Sequence, residues 1–335
     1  MRELLAPDDT RDALRKQGGL LLALGVLMLV LRKEDDLSDF VTFLLYGAMA
    51  VYLYGAVFTT RYTDGARPWT AVHSVLGLIF IPLALGEFVE MLDGDAGSSL
   101  NLFWIFGVTA GAAFYAGIVK GIRFHLLAGS IALIVSWSGL WDKLLGDEGI
   151  AGHFGIYRGL LGILSILLLA GAVHLWQRAD ATRVTGTVAG EDGDEGVRKA
   201  SELLTGAGIA AVLATGLGIT YLAALTFSGP YGGEITVVRT ALVWDVLLLI
   251  ISLGLVGLGS LIGTRGPVYV GATGLVLFLF IAGLDLNQDS PDPGNLGVWP
   301  ILLLVGGVLL IGLSSVKEAS LGDRPRQFLS GLRNR

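Results

Sequence analysis

Two acidic side chains lie inside an apolar stretch that is long enough to cross a membrane, and their spacing suits ion chemistry. Glu87 and Glu90 are three residues apart in the stretch 69–91, so a helix places both on one face. A carboxylate kept in the bilayer core usually faces the bundle interior or a water-filled cavity. Pro82, one turn earlier, would free a main-chain carbonyl. The pattern predicts a site for a proton or a cation.

A third carboxylate, Asp245, lies within the apolar stretch 237–262, about 12 Å from its outer end at 1.5 Å per residue. One interpretation is a proton or cation relay through the membrane. The other is an ion pair or hydrogen bond to a neighbouring helix, with Arg158 as the partner. Arg158 and Arg239 both come at the outer starts of apolar stretches, at a depth where either could also pair with the two glutamates.

Three of the four histidines fall at one predicted depth in the membrane. His73, His125 and His174 lie near the cytoplasmic ends of three apolar stretches, within about 3 Å of each other in depth. Two imidazoles on different helices can ligate haem, and three can hold a transition metal. The alternative is that the rings simply favour the membrane interface, and neither HxxxH nor HExxH occurs. The spacing therefore predicts no metal site and leaves haem as a hypothesis.

The composition of the chain indicates which kind of structure holds these residues in place. The chain has 335 residues, of which 53% are hydrophobic and 16% charged, with a mean hydropathy of +0.69. A soluble domain carries about 25% charged residues. The apolar runs are about 20 residues long and do not alternate, which favours helices over a barrel. The sequence thus predicts an all-α, polytopic membrane helix bundle. We place ten transmembrane helices at 18–31, 37–59, 69–91, 100–119, 122–141, 155–176, 203–227, 237–262, 267–285 and 298–316.

Basic residues set the predicted orientation. With ten spans, most of the 23 Lys and Arg residues fall on the side that holds both termini. Cytoplasmic loops are enriched in Lys and Arg, so both termini are expected in the cytoplasm and the protein in the cytoplasmic membrane. Acidic residues dominate the opposite side, where they would concentrate cations. The alternative is that acids are merely tolerated there, because topology constrains Lys and Arg more strongly.

The longest polar break divides the chain. It spans 177–202 and contains the run EDGDE, which predicts an acidic cytoplasmic linker. A six-span bundle at 1–176 is expected before it and a four-span bundle at 203–316 after it. A basic cytoplasmic tail, 317–335, would end the chain.

Small and aromatic residues indicate how the spans contact each other and the bilayer. Three pairs, Gly107 and Gly111, Gly155 and Gly159, and Gly259 and Gly263, have the GxxxG spacing of close helix contacts, although 49 glycines supply such pairs by chance. The tryptophans lie mostly near span ends, including Trp244, as in an aromatic belt.

The motifs that are missing limit the function. The sequence has no GxxxxGK[ST] loop, no GxSxG elbow and no cysteine, and it offers no basic surface for nucleic acid. The pattern is similar to that of polytopic proteins of prokaryotic membranes, and no motif identifies one family. We expect a transporter-like or permease-like protein, not an enzyme, with an outward-facing acidic site. The alternatives are a non-catalytic membrane subunit with a protein partner or a second copy, and a haem-binding electron carrier.

Overall fold

The structure is a computed structural model that describes residues 8–33, 37–59, 68–146, 149, 153–184, 191–227 and 242–285. The regular secondary structure of these residues is helical, and no strand occurs among them. The helices are α1 (Asp8–Lys33), α2 (Asp39–Thr59), α3 (Pro68–Met91), α4 (Ser99–Ile118), α5 (Phe124–Leu144), α6 (Phe154–Val184), α7 (Glu191–Phe227), α8 (Leu242–Ile262) and α9 (Arg265–Asp285).

Five of the described helices contain segments long and apolar enough to cross a membrane. These are Val72–Met91, Ser99–Ile118, Phe124–Leu144, Phe154–Ala179 and Val243–Ile262. Shorter apolar segments occur at Gln17–Arg32, Asp39–Gly55 and Arg265–Leu279. An all-helical protein with several candidate spans is therefore confirmed. The full set of ten crossings and the orientation of the termini stay predictions, and the last predicted span, 298–316, lies outside the described residues.

Left-handed turn residues end several helices and reverse the chain. Asp93 has a φ of 56°, and the carbonyl of Val89 in the last turn of α3 accepts from the N–H groups of Leu92 at 3.0 Å and Gly94 at 2.9 Å. Gly263 has a φ of 73° between α8 and α9, where the N–H of Thr264 donates to the carbonyl of Gly259 at 2.9 Å. Such tight turns favour antiparallel packing of consecutive helices.

The chain divides into two compact units. The first comprises Met1–Tyr157 and Ala170–Gly206, and the second comprises Arg158–Leu169 and Ala207–Arg335. The division therefore runs through α6 and α7. Part of the predicted linker 177–202 is helical, since α6 ends at Val184 and α7 begins at Glu191. The predicted organisation into a six-span and a four-span bundle stays a prediction.

In the first unit, α2 packs against α3 and α4 packs against α5. The core of the first pair centres on Leu53 and Phe80, which are almost fully buried. The hydroxyl of Tyr54 donates to the main-chain carbonyl of Ala112, which links α2 to α4. In the second unit, α8 packs against α9, with Leu248 and Phe278 in the core.

Candidate functional site

A buried charge pair lies in the second unit. Arg158 is in the first turns of α6 and Asp245 is near the start of described α8, with only 3% and 5% of their surfaces exposed. Trp244, the residue that directly precedes Asp245 in α8, contacts the Arg158 guanidinium, so the two buried charged side chains belong to one region of this unit. Asp245 falls inside the candidate span Val243–Ile262, and the predicted start of that span at 237 lies outside the described residues. The structure thus brings together two of the predicted site residues.

Neutral groups also lie beside the guanidinium. Its Cζ atom lies 5.1 Å from the ring centroid of Trp244, within the range of a cation–π interaction. Its Nη2 atom donates to the main-chain carbonyl of Thr215 on α7, at a long 3.5 Å. The Thr215 hydroxyl is bonded within its own helix, to the carbonyl of Ala211 at 2.9 Å. Arg158 therefore has an aromatic face and a weak main-chain acceptor beside it, and it makes at least one further polar or electrostatic interaction.

Each buried charge of this pair depends on the other for its stabilisation. Removing two charges from water costs several kcal/mol for each ion, and their mutual attraction repays this only when both partners are present. A change in the charge of Asp245 must therefore change how Arg158 is stabilised. An arginine holds its proton at all accessible pH values, so the carboxylate is the member of the pair that can gain one.

Sequence reasoning missed part of this arrangement. Trp244 was expected in an aromatic belt, yet its ring lies against a buried arginine. Thr215 carried no signal in the sequence, because any residue presents a main-chain carbonyl. The predicted pairing of Arg158 with Glu87 or Glu90 stays a prediction, since those residues belong to the other unit.

Glu87 and Glu90 lie in the last two turns of α3. Glu87 is partly buried and Glu90 is exposed, so the shared helix face does not give them equal surroundings. Glu87 has at least one further polar or electrostatic interaction. Pro82 lies within α3, which continues through it as a helix from Pro68 to Met91. Glu87 is therefore the better enclosed of the two predicted ligands.

The three predicted haem ligands differ in their surroundings. The ring of His73, which is 5% exposed, lies 6.2 Å from the ring of Tyr52 and directly against Gly19 of α1. His125 is fully buried, and its ring lies 6.3 Å from that of Tyr54. Tyr52 is exposed and Tyr54 is buried, so the rings of His73 and His125 contact different sides of α2.

His125 has an unusual polar environment. It lies beside the main chain of Ser74, and neither of its ring nitrogens forms a well-aligned hydrogen bond with the described residues. His174, the third predicted ligand, is exposed on α6. Among the described residues, no group of three or more His, Cys, Asp or Glu side chains could hold a metal ion. Haem ligation by these histidines stays a prediction.

A second polar network in the first unit was not anticipated. Asp142, at the end of α5, accepts a hydrogen bond from the hydroxyl of Ser99, and the hydroxyls of Ser138 and Tyr157 are bonded to each other. The Gly149 backbone packs closely against the Asp142 carboxylate. The sequence suggested only an interfacial Asp142, because hydroxyl partners on other helices leave no spacing pattern.

Comparison of the chain with protein-family models, with curated proteins and with solved structures finds no match. Among the described residues, the buried pair of Arg158 and Asp245 is the arrangement that bears most directly on function.

Proposed function

We propose that this protein is a multi-pass membrane transporter in which Asp245 binds the proton that is coupled to transport. The single observation that carries this proposal is that Asp245 is buried next to Trp244, whose ring contacts the equally buried Arg158. Ionisable residues within membrane segments are expensive and commonly mark ion or proton pathways. A protein that needed only mechanical stability could replace the pair by apolar side chains at no loss.

The proton site would work by changing the charge of one partner. With Asp245 ionised, the pair is neutral overall and suited to an apolar environment. With Asp245 protonated, Arg158 loses the attraction of that negative charge, which favours a different arrangement of the helices around it. Proton binding is thereby linked to conformation. On the predicted topology the site opens to the outer side, where Glu87 and Glu90 would supply further acidic positions.

A non-catalytic membrane subunit is the competing hypothesis, and there the same pair would fix helix packing alone. The two functions differ in whether Asp245 exchanges protons with water. A pH jump applied to full-length protein in liposomes on a solid-supported membrane measures the charge displaced by proton binding, and it needs no substrate.

We expect a charge displacement with the wild-type protein and none with Asp245→Asn. Asp93→Asn is the matched control, because it makes the same chemical change at an exposed carboxylate that directly follows α3. This control should retain the displacement. An unchanged signal from folded Asp245→Asn, or no signal from the wild type, would overturn the proposal.

A further inference from the structure

The helices α8 and α9 contact each other through their main chains. A Cβ at Gly271 of α9 would lie 2.5 Å from the carbonyl oxygen of Ser252 and 2.9 Å from the main-chain nitrogen of Val256, both on α8. Nearer the turn, a Cβ at Gly259 of α8 would lie 3.0 Å from the main-chain nitrogen of Val268 on α9. Small residues let the two backbones approach this closely. Main-chain atoms inside a helix cannot turn aside, so these contacts fix α8 and α9 against each other.

The contacts of α7 with the same two helices are of a different kind. A Cβ at Gly208 of α7 would lie 3.0 and 3.1 Å from the two Cδ atoms of Leu255 on α8. A Cβ at Gly216 would lie 3.7 Å from a Cδ atom of Leu277 on α9 and 3.8 Å from one of Leu248 on α8. The atoms that meet α7 at these positions are the methyl ends of side chains. Such ends can change rotamer while packed helices slide past each other.

In the same unit, α6 is linked to α7. The hydroxyl of Ser165 on α6 donates to the main-chain carbonyl of Ala207 on α7 at 2.8 Å, and Arg158 on α6 donates to the carbonyl of Thr215. Asp245 and the aromatic ring that contacts Arg158 are instead on α8. The two buried charged residues therefore belong to helices on either side of the side-chain interface.

We propose that the α8–α9 hairpin, residues 242–285, moves as one rigid body against α6 and α7 when Asp245 gains or loses a proton. This inference rests on the proposed function and specifies which part of the protein moves. A proton on Asp245 changes the charge of the α8 segment that contacts Arg158, so the position of the hairpin is linked to proton binding. The movement is a small slide, because the side chains at the interface stay packed.

Engineered disulfides test which helices move, and the chain has no cysteine of its own. A Cβ at Gly274 of α9 would lie 3.2 Å from the Cβ of Ser252 on α8 and 3.2 Å from the Cγ2 atom of Val212 on α7. Both neighbours are within reach of a cysteine introduced at Gly274, since the Cβ atoms of a disulfide are about 3.5–4.5 Å apart.

The two cross-linked variants differ in the helix that is joined to α9. Ser252→Cys, Gly274→Cys joins α8 to α9. Val212→Cys, Ser252→Ala, Gly274→Cys joins α7 to α9, and its alanine removes the hydroxyl that would lie 2.2 Å from the new Cβ. The reduced form of each variant is the matched control for its oxidised form.

The pH jump in liposomes is applied to each variant before and after oxidation of the thiols. We expect the α8–α9 disulfide to leave the proton affinity unchanged, because it joins helices that already move together. The α7–α9 disulfide should lower the apparent proton affinity about tenfold, within the usual size of coupling between two sites, because it blocks the slide.

The outcomes separate this inference from the proton site. A lower affinity caused by the α8–α9 disulfide, or an unchanged affinity with the α7–α9 disulfide, overturns the rigid-body movement while the proton site stands. If neither the wild type nor the reduced variants displace charge, the proposed function itself fails.

Single alanine substitutions test the two kinds of contact without cross-links. Gly271→Ala has to displace main-chain atoms of α8, whereas Gly208→Ala meets only the ends of side chains. The melting temperature of the full-length protein in detergent should therefore fall more for Gly271→Ala. An equal fall, or the reverse order, would show that α8 and α9 are held together no more firmly than α7 and α8.

Discussion

The guanidinium of Arg158 lies 5.1 Å from the ring centroid of Trp244, the residue that directly precedes Asp245 in α8. One short segment of α8 thus supplies both an aromatic face and a counter-charge to the same buried group. Consecutive residues on a helix point about 100° apart, so the two side chains approach Arg158 from different directions. Arg158 is held in orientation as well as neutralised, and this distinguishes the pair from two charges that merely share a depth.

The stability of the protein should depend non-additively on this pair. We expect Asp245→Asn or Arg158→Met alone to lower the free energy of unfolding by about 3–5 kcal/mol, because each leaves the other polar group buried without its partner. The double variant should recover much of this loss. Thermal unfolding of the purified variants in one detergent measures the coupling. Additive losses would show that the two side chains are energetically independent.

The aromatic face should make its own, smaller contribution. Trp244→Phe keeps an aromatic ring beside Arg158, whereas Trp244→Leu has none. Because a desolvated cation–π contact is worth about 2 kcal/mol, the leucine variant should be the less stable of the two. The same unfolding assay compares them directly. Equal stability of the two variants would mean that the ring acts only by filling space.

The positions of the helices along the chain could be predicted well from the sequence, but the contacts between helices could not. Apolar length determines where a helix can lie in a bilayer, so α2–α6 fall where expected. The predicted depth in the membrane allowed three carboxylates to pair with Arg158. Which of them does so depends on how each helix is rotated about its axis. Packing sets that rotation, and a single sequence carries little record of it.

Glycine spacing illustrates the same limit. Of the expected GxxxG positions, Gly107 and Gly259 make close contacts, with a Cβ lying 3.3 Å from the Ser136 Oγ atom and 2.7 Å from Val268. The other four positions have no atoms within 4 Å of where a Cβ would lie in the described part of the chain: Gly111, Gly155, Gly159 and Gly263. Gly77, which belongs to no such pair, meets the α2 backbone instead. A Cβ there would lie 2.5 Å from the main-chain nitrogen of Tyr54. Small residues permit two helices to approach closely, but the packing of the neighbouring helices determines which small residues lie at a contact.

Gly77→Ala should therefore destabilise the packing of α2 against α3. The added methyl group has to push main-chain atoms apart, and overpacking of this kind costs about 1–3 kcal/mol. Gly47→Ala on α2 is the matched control, because nothing lies within 4 Å of its Cβ position. A melting temperature lowered by Gly77→Ala and kept by Gly47→Ala is the expected result. Similar effects of both substitutions would contradict the close contact.

The histidines should respond to substitution according to their burial. His125→Ala empties a fully enclosed position between α2, α3 and α5 and should lower stability, whereas exposed His174→Ala should have little effect. The visible absorption spectrum of the purified protein tests the haem hypothesis in the same experiment. A Soret band that disappears in His125→Ala would make the protein a haem carrier and displace the transport proposal.

The pH should modulate stability through Glu202 of α7, which precedes the predicted span 203–227. Burial raises the pKa of Glu202 above the usual carboxyl range, and the positive charge of Arg123 partly opposes this. A raised pKa in the folded state means that the folded protein binds the proton more tightly than the unfolded chain does. The contribution of Glu202 is thus favourable below the ordinary carboxyl pKa and is lost as the pH rises through its raised value.

Two substitutions test this sign in opposite directions. Glu202→Gln imitates the protonated side chain, so it should flatten the fall in stability with rising pH and raise the melting temperature at neutral pH. Arg123→Gln removes the opposing charge, which raises the pKa of Glu202 further and should shift the loss of stability to higher pH. Melting temperatures measured across the acidic to neutral range distinguish the two effects. If Glu202→Gln leaves the slope unchanged, another group controls the pH dependence.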